Sequence, residues 1–121
     1  MAKMQADKPY DLEERTFLFA KEVRIFIKSL PKTISNFDDG KQLVRASGSV
    51  GANYIEANEA LSKKDFMMRM KISRKEAKES VFWLRLINET NNLDNGNEAR
   101  RLMQEAIELK KILSSIVEKS K

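Results

Sequence analysis

The sequence contains no cysteine and no histidine, and only four glycines and two prolines among 121 residues. Without cysteine the chain forms no disulfide and no thiolate metal site. Without histidine it lacks the commonest general base and transition-metal ligand, which excludes a Ser-His-Asp triad. So few glycines and prolines argue against many short strands and turns. The functions that remain are binding, scaffolding and chemistry that uses carboxylates alone.

Long apolar runs are also missing. No stretch approaches 18 uninterrupted apolar residues, so we expect no transmembrane helix. Segment 1–9 carries Lys3, Asp7 and Lys8 without an apolar core, which predicts a flexible N-terminus rather than a signal peptide. The expected location is the cytoplasm.

Residues typical of long helices dominate the composition, because Ala, Leu, Glu, Lys and Arg supply 56 of the 121 residues. Turn residues divide the chain into four segments of helical periodicity, about 11–30, 38–61, 63–89 and 98–119. The predicted N-caps are Asp11, Ser62 and Asn97. We therefore predict one all-α domain over residues 10–119, followed by a short tail at 120–121.

Each segment carries an apolar line with alternating spacings of three and four, as in the helices of a bundle. The lines are Leu12, Thr16, Phe19, Val23, Phe26 and Leu30; Leu43, Ala46, Val50, Tyr54, Ala57 and Leu61; Phe66, Met70, Ser73, Ala77, Ser80, Leu84 and Ile87; and Ala99, Leu102, Ala106, Leu109, Leu113 and Ile116. Gly48 and Gly51 interrupt the second segment. We expect a continuous helix there, whose small residues admit a neighbouring backbone at close range.

Four apolar residues fall outside these lines and predict contacts between subunits. Leu18 and Ile25 lie seven residues apart on another side of the first helix, and Phe82 and Trp83 lie off the core line of the third. A helix that is apolar on two sides is usually buried on two sides. These four apolar residues outside the core lines predict a homo-oligomer, although scattered surface apolar residues would give the same pattern.

Positive charge is concentrated on the third segment. Residues 62–85 contain eight basic and three acidic residues, a net charge of +5 that equals the net charge of the whole chain. At 100° per residue, seven of the basic residues fall within about 120° of the helical wheel. They are Lys63, Lys64, Lys71, Arg74, Lys75, Lys78 and Arg85. This basic face predicts contacts with a phosphate backbone, and a merely solvated helix face is the alternative.

A polar stripe on the second helix gives the remaining candidate site. Arg45, Ser49, Asn53 and Glu56 fall within about 80° of the wheel. We interpret them as a hydrogen-bonded network that fixes helix register, with Glu76 and Glu79 as candidate partners of Arg45. A ligand or catalytic pocket is the alternative interpretation.

Two E-x-x-E pairs support the only enzyme hypothesis. Glu56 pairs with Glu59, and Glu76 pairs with Glu79, each pair on one face of its helix. This spacing is similar to that of magnesium-dependent all-α nucleotide pyrophosphohydrolases. Two such pairs arise easily by chance among twelve glutamates, so we expect no catalytic residue, metal or cofactor.

The block from Leu43 to Ile87 reads LVRASGSVGANYIEANEALSKKDFMMRMKISRKEAKESVFWLRLI. It resembles the four-helix-bundle family of proteins encoded within intervening sequences of bacterial 23S rRNA genes, and is similar to accessory proteins of diversity-generating retroelements. The matching elements are Arg45, Ser49-Val50, Asn53, Glu56, the helix start at 62–66, Lys75-Glu76-Ala77, Glu79 and Trp83-Leu84, with the opening YDLEERT at 10–16.

The resemblance implies an antiparallel, up-down-up-down four-helix bundle that assembles into an oligomeric ring, with a pentamer as the expectation. It does not imply an enzyme. Combined with the basic face, it predicts a non-enzymatic protein that binds RNA or DNA, with or without a protein partner. The alternative is a protein-protein scaffold whose lysines serve only solubility.

Overall fold

Four helices form the fold in the computed structural model, which describes residues 11–93 and 96–121. They are α1 (Leu12–Lys28), α2 (Ile34–Asn58), α3 (Lys63–Thr90) and α4 (Asn97–Lys119). The described residues contain no strand, so the all-α prediction is confirmed. None of the helices in the described part is long and apolar enough to cross a membrane. The predicted N-terminal segment 1–9, Tyr10 and residues 94–95 of the predicted turn lie outside the described residues.

Side-chain caps begin two of the helices. Ser62 Oγ accepts a hydrogen bond of 3.0 Å from the Asp65 amide, which confirms that predicted cap. Thr33 Oγ1 accepts the equivalent bond of 3.1 Å from Asn36, so α2 begins at Ile34. The predicted start near residue 38 was therefore wrong by one turn, because the capping threonine just after Pro31 was overlooked.

The other two predicted caps differ from Ser62. Asp11 is the N-cap of α1 but makes no side-chain cap hydrogen bond. Asn97 is not a cap, because it is already the first helical residue of α4 and Gly96 precedes it. These helices depend more on packing than on their ends, which is usual for helices in proteins.

The core is formed by the predicted apolar lines, with three corrections at helix ends. Phe66, predicted to begin the line of α3, is only partly buried. The line of α1 is buried at every position. Leu61 lies beyond the end of α2 at Asn58 and is fully exposed, so its place in the line was wrong. In α4 the last buried residue is Val117 rather than Ile116. A helix with 3.6 residues per turn drifts against a strict heptad, and position 117 continues the face of Leu113 one turn later.

The centre of the bundle contains small residues where α2 and α3 make the most extensive helix contact. Ser73 Oγ donates a hydrogen bond of 2.6 Å across the interface to the Val50 carbonyl. Ala46 on α2 and Ala77 on α3 are fully buried. The predicted continuous helix with a small-residue centre is confirmed, since α2 runs without a break through its glycines.

Gly51 permits the close approach of α1. A Cβ atom added there would lie 2.8 Å from Thr16 Oγ1 and 3.1 Å from Thr16 Cβ, on the buried side of α2. At Gly48 the added atom would meet only the end of the Arg24 side chain, at 3.1 Å. The two glycines of α2 therefore differ in what they contribute to packing.

We expect Gly51→Ala to lower the free energy of unfolding by about 1.5 kcal/mol, because overpacking displaces α1. Gly48→Ala is the matched control. It should leave stability unchanged or raise it by up to about 1 kcal/mol, since Arg24 can move and alanine favours helix. Urea unfolding of both variants tests this. Equal effects would show that Gly51 is not a packing contact.

Ion pairs connect α1 with α4. Arg15 contacts Glu105 at 2.7 Å and Glu108 at 3.0 Å, and Arg101 contacts Glu22 at 3.0 Å. The hydrogen bonds that Arg15 donates to Glu105 raise the pKa of Arg15 above its ordinary value. α1 and α3 each pack against α2 and α4, and their own backbones are not adjacent in the described part of the chain.

Candidate nucleic-acid interface

The basic face of α3 points its charge outward. Lys63, Lys64, Lys71, Lys75, Lys78 and Arg85 are exposed, and Arg74 is half-buried. Among the residues that the structure describes, only Arg85 of these seven forms an ion pair, with Glu89 at 2.9 Å. From Lys64 to Arg85 the face is about 32 Å long at 1.5 Å per residue.

The carboxylates within segment 62–85 do not neutralise this face. Glu76 and Glu79 both contact Arg45 of α2. Asp65 lies 3.9 Å from Arg69, the one basic residue of the segment that falls outside the predicted arc. The acidic side chains of the segment therefore pair with arginines, and the lysines of the basic face form no ion pair with a described residue.

Arg45 joins α2 to α3. Its Nη1 donates to Glu76 Oε1 at 3.3 Å, and its Nη2 donates to Glu79 Oε1. Trp83 Nε1 donates to the same Glu79 oxygen at 3.3 Å. The Glu76 side chain is 9% exposed and that of Arg45 is 49% exposed. A largely buried carboxylate is thus paired with an arginine that reaches it from the surface.

Two other residues of the polar stripe form hydrogen bonds, one within α2 and one to α3. Ser49 Oγ donates to the Arg45 carbonyl at 2.8 Å, within α2. Asn53 Oδ1 accepts a bond of 3.3 Å from Arg69 Nη1 of α3. Glu56 is exposed and takes part in none of these bonds. Arg69 was missed from the sequence, although its position outside the basic arc was a signal that it faces α2.

A second polar contact between helices is not among the predictions from the sequence. The Asn36 and Asn91 side chains form a reciprocal amide pair, with bonds of 2.7 and 2.8 Å. Asn36 also donates to the Pro31 carbonyl at 2.8 Å. The pair ties the start of α2 to the end of α3. Nothing in the spacing of two asparagines 55 residues apart indicates that they meet.

The four predicted interface residues lie on two unconnected helices. Leu18 and Ile25 are exposed on α1, whereas Phe82 is exposed on α3. Trp83 is partly buried and packs against the core. The structure therefore places them on two helices whose backbones are not adjacent in the described part of the chain.

An apolar cavity of about 650 Å³ lies where α1 meets α2. Its lining includes Ile27, Leu30, Pro31, Ile34 and Phe37. Ile34 and Phe37 are also largely exposed. The sequence does not single them out, because both residues precede the predicted start of α2 near residue 38.

The two E-x-x-E pairs do not form one carboxylate site. Glu76 contacts Arg45, which lies 11 residues before Glu56 on α2, about 16 Å along the helix. Glu56 and Glu59 are exposed near the end of α2. Over the described ranges, no group of three or more acidic residues could hold a metal ion.

Comparison with known proteins places the chain in a family. Residues 9–115 match the 23S rRNA-intervening sequence protein family. A crystal structure of a protein of unknown function from the S23 ribosomal protein family of Bacteroides thetaiotaomicron is similar, with 28% identity and a TM-score of 0.76. The match covers 87% of this chain and 96% of that chain. The search of curated proteins gave no match. The chain belongs to the family of 23S rRNA-intervening sequence proteins.

Proposed function

We propose that this protein is non-enzymatic and binds RNA or DNA through the basic face of α3. The observation that carries the proposal is the set of six basic side chains there that form no ion pair with any described residue. Lysines that only maintain solubility are usually interspersed with carboxylates. On this face the acidic residues of the segment are engaged elsewhere, so a phosphate backbone supplies the missing negative charge.

Binding through such a face is independent of sequence. Flexible lysine ammonium groups contact phosphates, and these contacts carry no information about the bases. Each contact releases condensed counterions, so affinity falls steeply with salt. The protein is therefore expected to bind unrelated sequences with similar affinity and to lose that affinity as salt is raised.

Polarisation of labelled single strands and duplexes, each in two unrelated sequences, tests this proposal. Between about 50 and 200 mM salt we expect the affinity to fall by at least about 100-fold for duplexes and about 50-fold for single strands, as for four or more phosphate contacts. Failure of all four probes to bind at low salt would contradict the proposal. Magnesium-dependent hydrolysis of nucleotides by the protein would contradict its non-enzymatic part.

We further propose that the bundle is antiparallel with up-down-up-down topology. Contacts between α2 and α3 occur in opposite chain order, because Arg45 meets Glu76 whereas Asn53 meets Arg69. Contacts between α1 and α4 also run in opposite order, since Arg15 meets Glu105 and Glu22 meets Arg101. Short connections between consecutive helices agree with this arrangement.

The assembly that we propose is a homo-oligomeric ring, with a pentamer expected from the family. Leu18 and Ile25 on α1 are exposed, and Trp83 lies on the unconnected α3. Two different surfaces that meet head to tail generate a ring when the rotation closes. Repetition around the ring would multiply the basic faces.

Sedimentation at micromolar concentration is expected to show no dominant 14.0 kDa species. Leu18→Glu combined with Ile25→Glu should shift the mass toward the monomer, because charge is costly in an apolar contact. Lys21→Glu on the same helix is the control and should leave the mass unchanged. A wild-type monomer at all concentrations would contradict the ring.

A scaffold that recruits another protein is the second candidate. It is favoured by the apolar cavity lined by Ile34 and Phe37, which a partner side chain could fill. Unlike the basic face, this surface should bind its partner with little dependence on salt. The salt dependence of complex formation therefore separates the two functions.

A further inference from the structure

An exposed aromatic residue lies within the basic face of α3. Phe82 follows Lys75 by seven residues and Lys78 by four, and precedes Arg85 by three. These spacings put all four side chains on one side of the helix. The Phe82 side chain is 57% exposed. Phe17 on α1 and Phe37 on α2 are also exposed, and the Lys41 ammonium lies 5.5 Å from the centroid of the Phe37 ring.

Phe17 is the better comparison. It is 61% exposed on α1, with Glu13 and Glu14 one turn before it and Lys21 one turn after it. The two phenylalanines thus have similar exposure, but the charges around Phe17 are of both signs. Exposure alone therefore does not account for an aromatic side chain within the basic face, near its C-terminal end.

The ring of Phe82 is also held in place. It packs edge-to-face against Trp83, with centroids 4.9 Å apart and an interplanar angle of 82°. Trp83 is in turn hydrogen-bonded to Glu79, which pairs with Arg45. The chain of contacts from α2 through Glu79 and Trp83 positions Phe82 without covering it. A preorganised aromatic surface loses little side-chain entropy on binding.

We infer that Phe82 stacks on an unpaired base of a single-stranded nucleic acid whose phosphates contact the flanking basic residues. The inference rests on the proposed function and deepens it. Proteins that bind single strands without sequence preference combine a positively charged track with aromatic side chains that stack on bases. Duplex bases are already stacked on each other, so Phe82 should favour single strands over duplexes.

Phe82→Leu tests the inference, because leucine keeps an apolar side chain of similar size but cannot stack. The probes are a labelled oligothymidylate and a labelled mixed-sequence duplex of equal length. We expect single-strand affinity to fall by about 5- to 100-fold, and duplex affinity to stay within twofold. The salt slope should not change, since no charge is removed. Phe82→Trp should keep single-strand affinity, and Phe17→Leu is the matched control.

The outcomes separate this inference from the proposed function. If the wild-type protein binds both probes and Phe82→Leu weakens neither, or both equally, the inference is overturned and phosphate binding stands. If the wild-type protein binds neither probe, both are overturned. If Phe82→Leu lowers the sedimentation mass, Phe82 belongs to a subunit contact and the stacking role is overturned. A loss confined to the single strand, with unchanged mass and rescue by tryptophan, supports the inference.

Discussion

Neutralising four lysines of the basic face with glutamine is expected to weaken binding to every nucleic acid by about 100-fold or more at 50 mM salt. The four are Lys64, Lys71, Lys75 and Lys78. All are exposed, and none forms an ion pair with a described residue, so each is free to contact a phosphate. Each lost contact should also flatten the plot of log affinity against log salt by about 0.9 unit on duplex DNA. Polarisation across a salt series measures both effects.

A second variant with the same change in charge controls for net charge. Changing Lys21, Lys28, Lys32 and Lys41 to glutamine also removes four of the positive charges that give the chain its net +5. These lysines are exposed on α1, α2 and the connection between them. Their loss should leave affinity within about threefold, because long-range charge is screened beyond about 10 Å.

Circular dichroism should show unchanged helix content in both variants, since glutamine is nearly as good a helix former as lysine. Equal weakening by the two variants would mean that overall charge, rather than the basic face, drives binding. An unaffected α3 variant would favour the scaffold.

Arg45→Ala is expected to lower the free energy of unfolding by about 2 to 3 kcal/mol. The change leaves Glu76, whose side chain is 9% exposed, without the arginine that pairs with it. A carboxylate that loses its partner in a largely buried position keeps its desolvation cost. Half-exposure of Arg45 lets water reach the site, which keeps the loss below that of a fully buried pair. Urea unfolding measures it.

Two further variants make the Arg45 result specific. Arg85→Ala breaks an exposed ion pair of the same kind, with Glu89, and should cost less than about 0.5 kcal/mol. Arg45→Leu combined with Glu76→Leu should recover part of the loss, because no unpaired charge then remains. If Arg45→Ala costs no more than Arg85→Ala, the contact with Glu76 is solvated and does not fix helix register.

The sequence by itself determined the features that depend on spacing along one helix. Helical periodicity places residues spaced by three and four on one side of their helix, whatever the other helices of the bundle are. For this reason the apolar line of α1 is buried and the lysines of α3 are exposed, as their spacing in the sequence predicts. The cap at Ser62 also follows from local sequence, since its bond reaches only three residues ahead.

Only the tertiary structure decided which side chains meet across helices. The pairing of Asn53 with Arg69, and of Asn36 with Asn91, depends on how far two helices are shifted and rotated relative to each other. That offset results from the packing of the whole core, which includes the close approach of Thr16 to Gly51. Spacing within one helix carries no information about it. The same offset leaves Glu56 outside the network.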